Sequence, residues 1–168
     1  MSNFAADFDL ALARHAPGLP CRPRTPEDAD FLIACTIACS PMAGMLPDAM
    51  VAQQAAFQRA AHDAAHPDAT HRIVVRDGAP VGHILIAWNP AGTHLVDIAL
   101  LPAHQRSGAG ECLLRAWIEV ADAHGLAATL EVRADNPARQ LYARLGFVDT
   151  DPDPWAPVID MNRSAVQR

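Results

Sequence analysis

The stretch Gln105-Arg106-Ser107-Gly108-Ala109-Gly110 separates an apolar run, residues 95–101, from a segment whose apolar residues recur at helical spacing. The chain holds nine glycines, and two of them stand here one residue apart, beside an arginine and a serine. Glycine at a strand-to-helix junction marks a tight backbone turn or the close approach of another group. Exposed amides and the helix dipole at such a junction favour an anion, typically phosphate. Without a Cβ at Gly108 and Gly110, oxygens can lie against the backbone, and Arg106 and Ser107 can add side-chain hydrogen bonds. The stretch is not the dinucleotide fingerprint, which needs a third glycine and an acidic residue about twenty positions on. It is not a P-loop either, because Gly-Lys-Ser/Thr is absent.

The flanking patterns place this turn in a fold. A short strand at Cys21 leads to Thr25 as N-cap, Pro26 at the first helical position and Asp28 in the first turn, a strong helix start. A second helix is predicted from about Asp48 to His66, stopped by Pro67. Two apolar runs around Asp77-Gly78 read as a hairpin, and residues 93–102 as a third strand of the same group. Residues 108–124 form a helix with Leu113, Leu114, Trp117 and Val120 on one face, ended by Gly125. A strand, a short helix with Pro137 in its first turn and two closing strands follow. The order β-α-α-β-β-β-α-β-α-β-β predicts an α/β (α+β mixed) class: a mixed sheet with helices on both faces.

Composition narrows the function classes. At 168 residues the chain fits one domain at 19–168, preceded by a helical or loose extension at 1–18. Hydrophobic residues reach 51%, which excludes a disordered chain. A net charge of −6 gives no overall attraction to nucleic acid, although Arg133, Arg139 and Arg144 form a local basic group fit for a small polyanion. No apolar run reaches membrane-spanning length and no leader pattern is visible, so the expected compartment is the cytoplasm, with no membrane partner. Cys21, Cys35, Cys39 and Cys112 lack paired spacing and read as buried free thiols; no metal is expected.

With these elements placed, residues 101–114 resemble the Q/R-x-x-G-x-G/A signature of the GNAT superfamily of acetyl-CoA-dependent N-acetyltransferases, through Gln105, Gly108 and Gly110. Residues 136–147 resemble the same family's second segment through Asn136, Tyr142, Gly146 and Phe147. Two motifs in order, separated by one helix and one strand, are far more specific than either alone. The resemblance covers residues 20–163. It implies the GNAT fold, a twisted, mostly antiparallel sheet of six to seven strands, splayed between the fourth and fifth. It implies acetyl-CoA as cosubstrate, with its pyrophosphate on the amides of Gln105, Arg106, Ser107, Gly108, Ala109 and Gly110. Main-chain groups of Ile98, Ala99 and Leu100 would bind the pantetheine arm, Asn136 would hydrogen-bond it and Arg139 would reach a phosphate. Tyr142, the only tyrosine, would protonate the leaving thiolate.

The expected reaction is acetyl transfer to a primary amine of a small molecule or peptide by direct attack. The alternatives are a coenzyme A-binding sensor or partner-binding domain without turnover, and an enzyme using a longer acyl group. A base must free the amine lone pair. His94 opens the strand that presents the thioester and lies at an offset where family members carry a Glu or His base. Alternation puts His94, Val96, Ile98 and Leu100 on one face and Asp97 on the other, in a structural role. His83 and Glu131 are weaker candidates. Met42, Met45, Met50 and Phe57 line an apolar acceptor pocket or belong to the core. Dimers are common in the family, so a homodimer is among the states the resemblance allows.

Overall fold

The N-terminal stretch folds back onto the rest of the chain. Helix α1 (Phe4–His15) starts at Asn3, whose side chain accepts a hydrogen bond from the Ala6 amide at 3.2 Å. Its apolar stripe, Phe8, Ala11 and Leu12, is buried against helix α4 (Ala109–Ala123). The extension is therefore a packed helix, not a loose arm. The computed structural model describes residues 3–42, 44–150, 153 and 155–165. Residue 43 of the expected acceptor loop and the outermost residues of the expected extension and domain lie outside that range.

The helix start at Thr25 is present in a modified form. Pro26–Asp28 make one 3-10 turn before α2 (Ala29–Cys39) continues. The Thr25 amide donates to Asp28 at 2.8 Å, and Arg22 grips the same carboxylate from both nitrogens at 2.7 and 2.6 Å. The Arg22 guanidinium holds the Asp28 carboxyl well below the usual carboxylate range. Helix α3 (Asp48–Ala65) packs on α2.

Seven strands form one open sheet: β1 (Cys21–Pro23), β2 (Thr70–Arg76), β3 (Ala79–Asn89), β4 (Gly92–Leu100), β5 (Ala127–Arg133), β6 (Val148–Asp149) and β7 (Val158–Arg163), in the order β1-β2-β3-β4-β5-β7-β6. Asp77 and Gly78 both have positive φ (52° and 78°), the backbone that a two-residue hairpin requires. Every pairing is antiparallel except β4 with β5. That parallel pairing joins Gly92–Leu95 to Ala127–Leu130 and goes no further. Past Leu95 the β4 edge has no strand beside it, so the sheet splays there as expected.

Helices cover both faces. Trp117 of α4 donates its indole N–H to Thr93 of β4 at 2.9 Å, on one side. Arg59 of α3 reaches Asp97 of β4 at 3.1 Å, on the other. Between these two residues β4 carries an irregularity: Leu85 faces Asp97, but the next residue, Ile86, faces Leu95. Val96 is thus an extra residue, a β-bulge. On β3, Gly82 permits the close approach of the two strands, since a Cβ there would lie 2.5 Å from the Ala99 carbonyl oxygen. Among the described residues no helix is long and apolar enough to cross a membrane.

Candidate active site

The glycine-rich turn is held from beneath. The Leu100 carbonyl accepts the Gln105 side-chain amide at 2.8 Å and the Cys39 thiol at 3.2 Å, while Ser107 donates to the His104 carbonyl at 2.8 Å. These contacts use Gln105 and Ser107 to shape the loop. Arg106 (φ 56°) and Gly108 (φ 84°) take left-handed backbone, which turns the chain into α4. Ala109, the first residue of α4, is buried and ties the helix start to the core. Among the described residues, none of the backbone amides from Arg106 to Glu111 donates a hydrogen bond. Helix N-termini leave such donors open, and here the two left-handed residues gather them in one concave turn. Nothing lies within 4 Å of a Cβ built on Gly108, so the concavity is free.

The slot runs from this turn along the unpaired edge of β4, Val96 to Leu100, opposite Glu131–Arg133 of β5. Ile98, Ala99 and Leu100 line that edge. Asn136 and Arg139 follow β5 in the chain, in the turn before α5 (Ala138–Arg144) and on that helix. The Asn136 side chain accepts from the Ala138 amide at 2.9 Å and caps the helix. Arg139 is engaged by Asp149 at 2.9 Å and by the Ala134 carbonyl at 3.2 Å. Tyr142 of α5 is buried, its ring edge-on to Phe147 at 6.2 Å, and no described residue bonds its hydroxyl. Burial first, and the charge of Asp97 second, push the phenol up to about 12, so it remains protonated over the physiological range.

The bulge overturns the strand alternation expected from the sequence. The extra residue at Val96 reverses the facing of everything beyond it, so His94 and Asp97, three positions apart, share the α3 side. Leu95 is buried on the α4 side with Thr93, and Leu100 lies beside Gly110 of α4. His94 Nδ1 is 2.9 Å from the Thr129 hydroxyl and its ring stacks on His66, with centroids 6.5 Å apart. Thr129 gives its one hydroxyl hydrogen to the Thr93 carbonyl at 3.3 Å. With the Thr129 hydrogen on the Thr93 carbonyl, His94 would carry its N–H on Nδ1 and its lone pair on Nε2. Burial, which outweighs the opposing charge of Glu131, lowers the affinity of His94 for a proton. Glu131 points to solvent on β5.

Asp97 proves to be the hub of this face. It accepts from Arg59, lies 3.6 Å from His83 Nε2, and its charge reaches Tyr142. His83 is fully buried and its Nδ1 meets His71 Nε2 at 3.3 Å. Arg59 and His62 escape a motif-based reading, but one signal marks them. They continue the core stripe Val51, Ala55, Arg59 of α3, where an arginine at an apolar position calls for a partner. Met45, Met50 and Phe57 are exposed and so are not core; Leu46, Met50, Gln53, Gln54 and Phe57 border an open groove.

The buried histidine pair makes a prediction about stability. Burial lowers His71 to about 3 and His83 to about 4, against an ordinary value of 6.5. Below pH 6.5 the unfolded chain gains protons that the folded state refuses, so stability falls as pH descends from about 6.5 toward 4. Each histidine contributes a slope approaching about 1.4 kcal/mol per pH unit. Urea unfolding from pH 7 to 4.5 should show this decline, and His71→Gln should roughly halve the slope. A pH-independent midpoint would mean that both rings take up protons as readily in the fold as in the unfolded chain.

Comparison with known proteins gives a consistent picture. A family model described as the acetyltransferase (GNAT) family matches residues 36–147. No curated protein matches the sequence. Among solved structures, the PaiA N-acetyltransferase of Thermoplasma acidophilum, in complex with coenzyme A, superposes with a TM-score of 0.65 at 17% identity, covering 88% of this chain and 99% of that one. The ribosomal-protein-S18-alanine N-acetyltransferase of Escherichia coli gives 0.64 at 19% identity, covering 89% and 96%. A histone acetyltransferase HPA2-related protein of Corynebacterium glutamicum gives 0.66 at 20% identity, covering 89% and 98%. At these identities the likeness is one of fold.

Proposed function

Because the chain belongs to the acetyltransferase (GNAT) family, we propose that it transfers the acetyl group of acetyl-CoA to a primary amine of a small molecule or peptide by direct attack. The observation that carries this reading is the free amide turn at Arg106–Glu111 opening onto the unpaired edge of β4. An anion and an extended amide-bearing arm satisfy these two sets of groups together. The amides of residues 106–110 hold the pyrophosphate, the Gln105 amide being taken by the Pro102 carbonyl at 3.3 Å, and the main chain of Ile98, Ala99 and Leu100 holds the arm. Asn136 adds a hydrogen bond, and Arg139 reaches a phosphate on leaving Asp149. Acetyl-CoA supplies an activated thioester carbonyl.

On the protein side the proton accounting is simple. His94 Nε2 takes a proton from the acceptor ammonium, freeing the lone pair that forms the new N–C bond. The C–S bond breaks with its electron pair on sulfur, Tyr142 donates its phenolic proton there, and the second proton shed by the nitrogen as it becomes an amide returns to the Tyr142 oxygen. The machinery occupies residues 19–168, with 1–18 as the added helix. Free thiols at all four cysteines suit a reducing compartment such as the cytoplasm.

The test is thermal stabilisation by coenzyme A, followed by acetyl-CoA-dependent thiol release across a panel of amines and peptides. With one accepted amine, His94→Ala and His94→Gln should both lower turnover near neutral pH and recover at high pH, where the amine is already neutral. Profiles parallel to wild type and of similar height would remove His94 from the mechanism. Binding without thiol release from any amine would leave a coenzyme A-binding domain instead of an enzyme.

A further inference from the structure

Resting on the acetyl-transfer reading, we propose that Arg59 and Asp97 recognise the acceptor, and that the acceptor is a free α-amino acid whose carboxylate binds Arg59 and whose ammonium group binds Asp97. The first support is a concentration of unmet hydrogen-bonding capacity. Seven buried side-chain atoms among the described residues lack a partner, and five belong to Arg59 (Nε and Nη1), His62, His71 and His83. Buried polar atoms are almost always satisfied, so their clustering on one face of β4 points to a ligand and not to scattered imperfection. The Arg59 side chain is 9% exposed, and a single nitrogen, Nη2, has an acceptor. A guanidinium carries five N–H donors in a planar fork suited to a carboxylate.

The charges select the ligand further. His62, His71 and His83 are all kept neutral by burial, so the cluster reduces to one cation and one anion 3.1 Å apart. Arg24 and Asp63 nearby neutralise each other at 2.7 Å. A simple amine would gain at Asp97 but meet Arg59, and a simple carboxylate would meet the reverse conflict. A ligand with ammonium and carboxylate on one carbon matches both charges and adds no net charge to a buried site. Asp97, at 29% exposure, is the open side of the cluster.

The experiment compares kcat/KM for the twenty L-amino acids and their carboxamides with acetyl-CoA, alongside spermidine, tyramine and a tripeptide. At least one free amino acid should be turned over, its amide being poorer by about tenfold to a hundredfold, the usual weight of a charged hydrogen bond. Arg59→Gln should bring the acid-to-amide ratio close to one, with coenzyme A stabilisation reporting that the variant is folded. If Arg59→Gln does not fold, Arg59→Lys decides, since it keeps the charge but loses the fork and should still cut the ratio. Amides as good as acids, or equal losses for both in the variant, overturn the proposal. Turnover of the carboxylate-free amines alone refutes it while leaving acetyl transfer intact. No coenzyme A stabilisation and no thiol release from any amine overturn both.

Discussion

Gly108→Asp should abolish the thermal stabilisation by coenzyme A, whereas Gly108→Asn should retain a measurable part of it. Both side chains tolerate left-handed backbone better than most, so the strain at φ 84° is shared and the space for a Cβ is open in both. What differs is one negative charge facing the amides from Arg106 to Glu111. A carboxylate about 4 Å from a phosphate costs roughly 4 kcal/mol at the effective dielectric of a protein surface, or about a thousandfold in affinity. Coenzyme A at a hundred times the wild-type Kd stabilises the fold by about 2.7 kcal/mol, and at that concentration the aspartate variant should show almost no shift. An unchanged shift in Gly108→Asp would mean that the pyrophosphate lies elsewhere.

Tyr142→Phe separates chemistry from binding. The ring keeps its edge-on contact with Phe147, and the main-chain bonds from Leu145 and Phe147 to the Tyr142 carbonyl are untouched. Coenzyme A stabilisation should therefore match wild type, while the single-turnover rate falls by about 10²–10⁴-fold, the usual weight of a positioned acid. No described residue hydrogen-bonds the Tyr142 hydroxyl, so its removal should not unfold the variant. A loss below tenfold would hand the proton to water or to another group.

Much of this molecule is legible in the residues. The Asp77-Gly78 hairpin, the helix start at Thr25-Pro26 and the amphipathic stripe of α4 each follow from local chemistry, and each is present. The glycine turn between strand and helix is equally local, because Gly108 is needed where φ is positive. The facing of β4 was not legible. Period-two alternation holds only while the register is unbroken, and Val96 breaks it through the pairing with β3, which no residue of β4 signals by itself. Arg59 was hidden for a related reason: a helix pattern identifies an inward position but not the side chain across from it. Asp97 and Arg59 are 38 residues apart and meet only when α3 lies on the sheet.

The bulge at Val96 divides β4 into two reading frames. Upstream of it, β4 is paired with both β3 and β5; downstream, it is paired with β3 alone and leads into the glycine turn. One residue lost at this point would turn His94 away from the α3 side while leaving Asp97, the turn at 105–110 and its amides in place. On the proposed assignment, the facing of the base is thereby set apart from the donor site within a single nine-residue strand.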